Sequence, residues 1–389
     1  MLRVLTLSTL FPDAVRPTFG VFVERQTLGL AATPDIELEV VAPIGLPPGL
    51  LARLRHWGTL GTLPEREHWK GLTVHRPRFP VLPGVGALNP WSMARTLLPL
   101  LRDIRMRFPF DVIDAEFFFP DGPAAAALGR ALGVPISIKA RGADIHHWGA
   151  APFCRGQILR AGRDAGGLLA VSRALKADMV AMGLPEEAIR VHYTGVDLDR
   201  FRPSPDRIAA KAALGVTGAL LLSVGALIPR KGHALVIEAV AQLPGVSLMI
   251  AGEGPARPML EALITERGLG DRVRLLGSQP HEALPPLAAA ADIGVLVSAS
   301  EGLANAWVES LACGTPVVIS EAGGARELVD RPAAGRIVMR TPEAIVAAVK
   351  DILANPPEQA AVRAVAERFT WEANALALRD HLAGIVTGY

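Results

Sequence analysis

Two glutamates eight residues apart, Glu301 and Glu309, bracket Glu301-Gly302-Leu303-Ala304-Asn305-Ala306-Trp307-Val308-Glu309. Upstream, Asp292-Ile293-Gly294-Val295-Leu296-Val297 reads as a buried parallel strand; downstream, Val308 to Cys313 continues as an apolar helix closed by Gly314. Glu301 then falls in a loop at a strand's carboxyl end, the ligand edge of an open α/β sheet. Glu309 falls in the first turns of the next helix. Backbone N–H groups near Leu303, Ala304 and Asn305 are expected to point outward unpaired and to receive a phosphate. Carboxylates on either side of such an anion site suit a ligand with hydroxyls on both sides of its phosphates, as in a nucleotide-sugar. The plainer reading is that each glutamate complements the helix dipole, for about 0.3–1 kcal/mol.

A second loop of the same kind follows the strand Leu220 to Val224. In Gly225-Ala226-Leu227-Ile228-Pro229-Arg230-Lys231-Gly232-His233, small residues let a ligand approach the backbone and two fixed cations stand at a helix start. The alternative is an exposed basic pair in a solvated loop. The strand Ser247 to Ala251 ends in Gly252-Glu253-Gly254-Pro255, a weaker signal because a third glycine is missing.

These loops need a scaffold of strands alternating with helices, and the chain supplies it twice. Val4 to Ser8, Leu38 to Ala42, Asp111 to Ala115, Pro135 to Lys139, Gly167 to Val171 and Ile189 to Tyr193 read as strands with helical stretches between them. The pattern restarts at Leu220 and runs to Val338. Gly195 to Pro205 reads as a linker. We therefore expect an α/β protein with two Rossmann-like parallel-sheet domains, 1–202 and 203–369, facing a ligand cleft. A last helix, 370–389, is expected to pack back on the first domain.

Composition agrees. A chain of 389 residues, half of them hydrophobic, is long enough for two cores. Its two cysteines, Cys154 and Cys313, support neither a disulfide framework nor a zinc site, so a reducing cytoplasm is the expected compartment. The start, Met1 to Phe11, resembles a signal peptide only superficially, because Pro12-Asp13 follows and no small-residue cleavage site precedes it. No apolar run is long enough to span a bilayer. The net charge of +2 is uneven: residues 1–202 hold 24 basic against 19 acidic residues, and residues 203–389 hold 16 against 19. Nucleic acid is a poor partner for so neutral a chain without a recognised module.

Taken in order, these blocks resemble the nucleotide-binding domain of retaining glycosyltransferases with the GT-B fold, family 4. The resemblance rests on Ser223-Val224-Gly225-Ala226-Leu227 with Arg230-Lys231-Gly232, on Ala251-Gly252-Glu253-Gly254-Pro255, on Ser298 to Leu303 through Glu309 to Val318, and on Ala322-Gly323-Gly324-Ala325-Arg326-Glu327. The first half adds Pro120-Asp121-Gly122, Arg141-Gly142-Ala143-Asp144, Val171-Ser172 and the Tyr193 to Asp197 turn, so nearly the whole chain is covered.

The resemblance implies that Glu301 holds donor-sugar hydroxyls and Glu309 ribose hydroxyls. It implies that Arg230 and Lys231 neutralise the diphosphate, that Leu303, Ala304 and Asn305 give N–H contacts, and that Leu276-Gly277-Ser278-Gln279 lies near the base. Gly225 belongs to the same donor set. With Arg230 and Lys231 stabilising the departing charge, neither metal nor cofactor is implied. Two departures stand out. Pro17-Thr18-Phe19-Gly20 offers one glycine, Gly20, where many members carry two. Arg141 replaces a frequent histidine and adds a fixed charge in reach of a phosphate. Asp144 either orients Arg141 or binds a hydroxyl, or it only caps local backbone.

Residues 50–107 hold ten basic and three acidic residues. Leu50 to Trp57 and Arg95 to Phe108 mix leucines, arginines and aromatics as an interfacial helix does, with Pro99 interrupting the second. An anionic membrane presenting a polyprenyl-linked glycan acceptor would fit them. The ordinary reading sets the leucines in the core and the arginines in water. The expected activity is transfer of a hexose from a UDP- or GDP-sugar to a glycan or lipid-linked glycan in cell-surface polysaccharide synthesis. The alternatives are a nucleotide-sugar epimerase of the same fold and a non-catalytic nucleotide-sugar-binding regulator.

Overall fold

The computed structural model describes residues 1–49, 55–81 and 84–388. The chain divides into two compact units, Met1–Thr194 with Trp371–Tyr389, and Gly195–Thr370. The division falls at 194 rather than 202 because the linker is built into the second unit. Val196 N–H donates to Phe369 O at 2.7 Å, Phe201 is fully buried, and Arg363 donates to the carbonyls of Leu198 and Phe201 at 2.9 and 2.8 Å.

The strands of the first unit are β1 (Leu2–Leu7), β2 (Ile36–Val41), β3 (Ile44–Leu46), β4 (Arg66–Trp69), β5 (Leu72–His75), β6 (Arg78–Pro80), β7 (Val112–Ala115), β8 (Ile136–Ala140), β9 (Gly167–Ala170) and β10 (Ile189–Val191). Eight of them form one sheet in the order β10-β9-β8-β7-β1-β2-β5-β4, parallel throughout except for β4 against β5; β3 and β6 pair separately. The central strands are buried on both faces, and so are the polar residues they carry, Thr6, Asp114, Ser137 and Lys139. The C-terminal helix Trp371–Thr387 is one of these covers: Leu378, Leu382 and Ile385 share a core cluster with Val4, Leu30, Val112 and Leu169.

The second unit adds β11 (Ala219–Val224), β12 (Val246–Ala251), β13 (Val273–Gly277), β14 (Ile293–Leu296), β15 (Val317–Ser320) and β16 (Gly335–Val338), ordered β13-β12-β11-β14-β15-β16 and all parallel. Strand order reverses between β11 and β14, and between β1 and β7 in the first sheet. The crevice at such a reversal is where open α/β sheets take ligands.

The helix Asn89–Arg107 corrects one expectation, since it runs unbroken through Pro99. Met93, Leu97, Leu101 and Ile104 bury one stripe of it. Pro99 lies on the exposed side, where the lost N–H bond falls toward solvent. Leu50 to Leu54, part of the other basic apolar stretch, lie outside the described residues.

Candidate nucleotide-sugar site

The reversal in the second unit brings together the loop after β11 and the loop after β14. Ala299 N–H donates to Arg230 O at 2.7 Å, and the Arg230 guanidinium donates back to Ser300 O. Lys231 Nζ meets Glu301 Oε1 at 2.5 Å. Their side chains are 15 and 10% exposed, so the pair is largely dry yet still reachable. Gly232, at φ 76°, lets the backbone turn here, because a Cβ would stand 2.5 Å from Val297 O. Gly225 lies against the Lys231 side chain, the nearest atom to a Cβ placed there being Lys231 Cδ at 3.6 Å. Arg230, Lys231, Glu301 and Gly225 thus form one locus.

The same loop leads into the helix Asn305–Ala312. Its N-cap is Ala304, and no side chain caps it. Trp307 N–H donates to Ala304 O at 3.1 Å, and the N–H groups of Asn305 and Ala306 at the start of the first turn are left for another acceptor. Leu303 and Ala304 are nearly buried, and Gly302 O accepts from Gly324 N–H at 2.8 Å, which fixes the loop from its other side. Fixed cations, free helix N–H groups and a carboxylate within one loop pair can bind a diphosphate and a hydroxyl side by side.

Glu309, in the second turn of this helix, accepts from His281 Nε2 at 2.6 Å. The imidazole packs edge-on against buried Phe201, with ring centroids 5.1 Å apart. Gln279, two residues before His281, turns its amide onto Leu276 O at 2.7 Å. His281 escaped the sequence reading because its partner is 28 residues away and no spacing links them. Nearby His233 is buried between Ser223 Oγ and Ala226 O, and burial lowers its pKa to about 4. It supports the loop as a neutral group. Burial, then the charge of Glu309, pushes the Cys313 thiol up to about 12, so it is no nucleophile.

Gly20, Arg141 and Asp144 belong to the first unit. Gly20 is the left-handed N-cap of the helix Val21–Ala31, and a Cβ there would stand 2.5 Å from the Leu10 backbone. That close approach explains its single glycine. Arg141 donates to Glu116 O at 2.7 Å, pairs with the Glu116 carboxylate, and lies 4.7 Å over the Phe22 ring. Its charge is partnered by the buried Glu116 carboxylate.

Asp144 is engaged with the backbone. It is fully buried, and its oxygens accept backbone N–H bonds from Phe118 (2.8 Å), Arg141 (3.0 Å), Gly142 (2.8 Å) and Ile145 (3.1 Å). Of the tasks open to it, backbone capping is the one that these bonds show.

Glu116 was missed, although a carboxylate just past a strand end is itself a signal. Burial opposes its ionisation, but Arg141 and Lys139 outweigh that and hold its pKa at about 2. Lys139, fully buried, is drawn down to about 7 by desolvation against the pull of Glu116. Among the described residues no three His, Cys, Asp or Glu side chains gather as a metal site.

Residues 37–200 match Glycosyltransferase Family 4 and residues 206–369 match Glycosyl transferases group 1. A GDP-mannose-dependent alpha-(1-6)-phosphatidylinositol monomannoside mannosyltransferase of Mycolicibacterium smegmatis is 32% identical over 258 residues, 61% of this chain and 67% of that protein. A Bacillus subtilis glycosyltransferase named for teichuronic acid biosynthesis is 27% identical over 84% of this chain and 83% of its own length. Among solved structures, sucrose-phosphate synthase of Thermosynechococcus elongatus superposes with a TM-score of 0.79 at 19% identity, covering 100% of both chains. The two Rossmann-like units and these matches establish that the chain is a glycosyltransferase of family 4, with the GT-B fold.

Proposed function

We propose that the protein transfers a hexose from a UDP- or GDP-sugar to a glycan or lipid-linked glycan acceptor, with retention of configuration and without a metal ion, in cell-surface polysaccharide synthesis. The observation that carries this reading is the Lys231–Glu301 pair beside the uncapped helix at Asn305. In this scheme the sugar–phosphate bond breaks toward an oxocarbenium-like sugar. Arg230 and Lys231 neutralise the departing diphosphate, and the N–H groups of Leu303, Ala304 and Asn305 receive its oxygens. Glu301 holds donor-sugar hydroxyls, Glu309 holds the ribose hydroxyls, and Gln279 stands near the base. Both glutamates act as anchors that fix the donor rather than as a proton-transferring pair. The GDP-mannose and teichuronic acid names of the two relatives favour a cell-envelope glycan as product.

A membrane-borne acceptor is favoured by the outer faces of two helices in the first unit. Trp91, Arg95, Arg102 and Met106 are exposed along Asn89–Arg107, and Phe153, Arg160 and Arg163 along Pro152–Asp164. Trp91 and Arg160 line one groove of about 180 Å³ with an alanine-rich floor. Aromatics beside arginines suit the surface of an anionic bilayer on the cytoplasmic side. Among the described residues no helix is long and apolar enough to cross one.

Thermal-shift screening with UDP, GDP, ADP and their sugars tests the donor class, since a ligand at a hundredfold excess over Kd stabilises by about 2.7 kcal/mol. Transfer in the presence of EDTA, with the product anomer read by NMR, tests metal independence and retention. Donor isomerised without an acceptor would favour the epimerase; binding with neither transfer nor slow hydrolysis would favour the regulator. Flotation with anionic and neutral vesicles tests membrane contact, and indifference to lipid charge counts against it.

A further inference from the structure

We infer that His281 is a positioning residue for the donor: it sets the orientation in which Glu309 presents its carboxylate to a vicinal diol. The inference rests on the reading of Glu309 as the ribose anchor. A glutamate in the middle of a helix has several rotamers of similar energy, and a bidentate contact to two neighbouring hydroxyls requires one of them.

The structure supplies a restraint. A carboxylate oxygen accepts, so the His281 Nε2–H donates to Glu309 Oε1 at 2.6 Å and occupies one of its lone pairs. The rest of the carboxylate keeps its capacity for two hydroxyls, and at 13% exposure the Glu309 side chain stays reachable. His281 is itself held in place. Its ring lies edge-on to Phe201, a fully buried residue, and it opens the short helical turn His281–Ala283 directly after Pro280. The neighbouring residue, Glu282, pairs with Arg200 at 3.4 Å, which ties the same turn to the Phe201 segment a second time. A rigid imidazole aimed at a carboxylate preorganises it before any ligand arrives, a role the sequence could not announce.

The test is calorimetric binding to the full chain. It uses whichever of UDP, GDP or ADP the wild type binds, together with the 2′,3′-dideoxy form of that nucleotide. We expect wild type to prefer the ribose form, and Glu309→Ala to lose that preference. His281→Ala should weaken the ribose form about 10-fold, as expected when a hydrogen bond to a charged group is lost, and leave the dideoxy form within twofold. His281→Gln, whose amide N–H can replace the imidazole donor, should recover most of the loss. In turnover, His281→Ala should raise donor KM and leave kcat unchanged. Equal weakening of both nucleotides by His281→Ala, or no weakening at all, overturns the inference while Glu309 keeps its role. Retention of the ribose preference in Glu309→Ala overturns both.

Discussion

Lys231 and Glu301, 2.5 Å apart, each have one strong partner in the other. A diphosphate beside Lys231 offers that cation a second, more highly charged one. If Lys231 neutralises the leaving group, its contact strengthens as the sugar–phosphate bond breaks, so Lys231→Ala should lower kcat/KM about 10²–10³-fold, with much of the loss in kcat. Steady-state kinetics decides; a change confined to KM would mean uniform binding of donor and transition state. Asp144 makes the opposite kind of prediction. Asp144→Ala leaves the N–H groups of Phe118, Arg141 and Gly142 without their acceptor, while that of Ile145 keeps Gly142 O at 3.0 Å, and should cost about 3 kcal/mol or more in denaturant unfolding, with little effect on the donor KM of the folded fraction. The place of Glu301 and Arg230 after β14 and β11 was legible, because the segment after an apolar strand lies at the sheet's carboxyl edge whatever the rest of the fold does. His281 was not legible, since it acquires meaning only from a partner brought close by folding; Glu116 carried a signal in its place just past β7, but its partners Arg141 and Lys139 are set by the fold.

At the level of elements, the helix Asp121–Leu132 begins with a carboxylate in a costly place. Asp121 is fully buried, with Oδ2 accepting the Thr9 N–H at 2.9 Å. Burial raises its pKa to about 7 against the pull of the Thr9 bonds, and the nearby charges of Asp144 and Glu116 push the same way as burial. The folded pKa therefore exceeds the unfolded one, the folded chain holds more protons between about pH 4 and 7, and stability from this group falls as pH rises through that window. Asp121→Asn keeps an oxygen for Thr9 and removes the titration. His192, His233 and His381 all have lowered pKa values through burial and act in the other direction as pH falls below about 6.5. The difference between variant and wild type isolates Asp121. It should be near zero at pH 4 and grow to a few kcal/mol by pH 7, measured by thermal unfolding; a pH-independent difference would sink the assignment. Other elements were hidden for local reasons. The hairpin β4–β5 turns through Lys70 (φ 49°) and Gly71 (φ 88°), a two-residue turn made without the Asn-Gly pair that usually marks it. The helix Asn89–Arg107 was obscured by its own proline.

On the scale of the whole chain, two sheets of the same kind have separate cores, and the chain returns to the first to finish it. Leu378, Leu382 and Ile385 of the last helix cover β1 and the helix Val21–Ala31, Asn374 Nδ2 donates to Tyr193 O at 2.6 Å, and His381 meets Ser137 Oγ at 3.2 Å. None of these residues belongs to the core cluster of the second unit, which draws on residues Leu221 to Ile352. Burying three large apolar side chains contributes roughly 1.5–3 kcal/mol each, a sum comparable to the 5–15 kcal/mol that holds a typical domain folded. A chain ending at Thr370 should therefore lose the first unit and keep the second. Hydrogen exchange should accelerate in Val4–Leu7 while Leu220–Val224 stays protected. Any nucleoside diphosphate that stabilises the full protein should still stabilise the remaining folded unit, because Arg230, Lys231, Glu301 and Glu309 all lie within it. Equal loss of protection in both sheets would show that the two cores share one folding transition. The last helix would then support the candidate site as well as the sheet it covers.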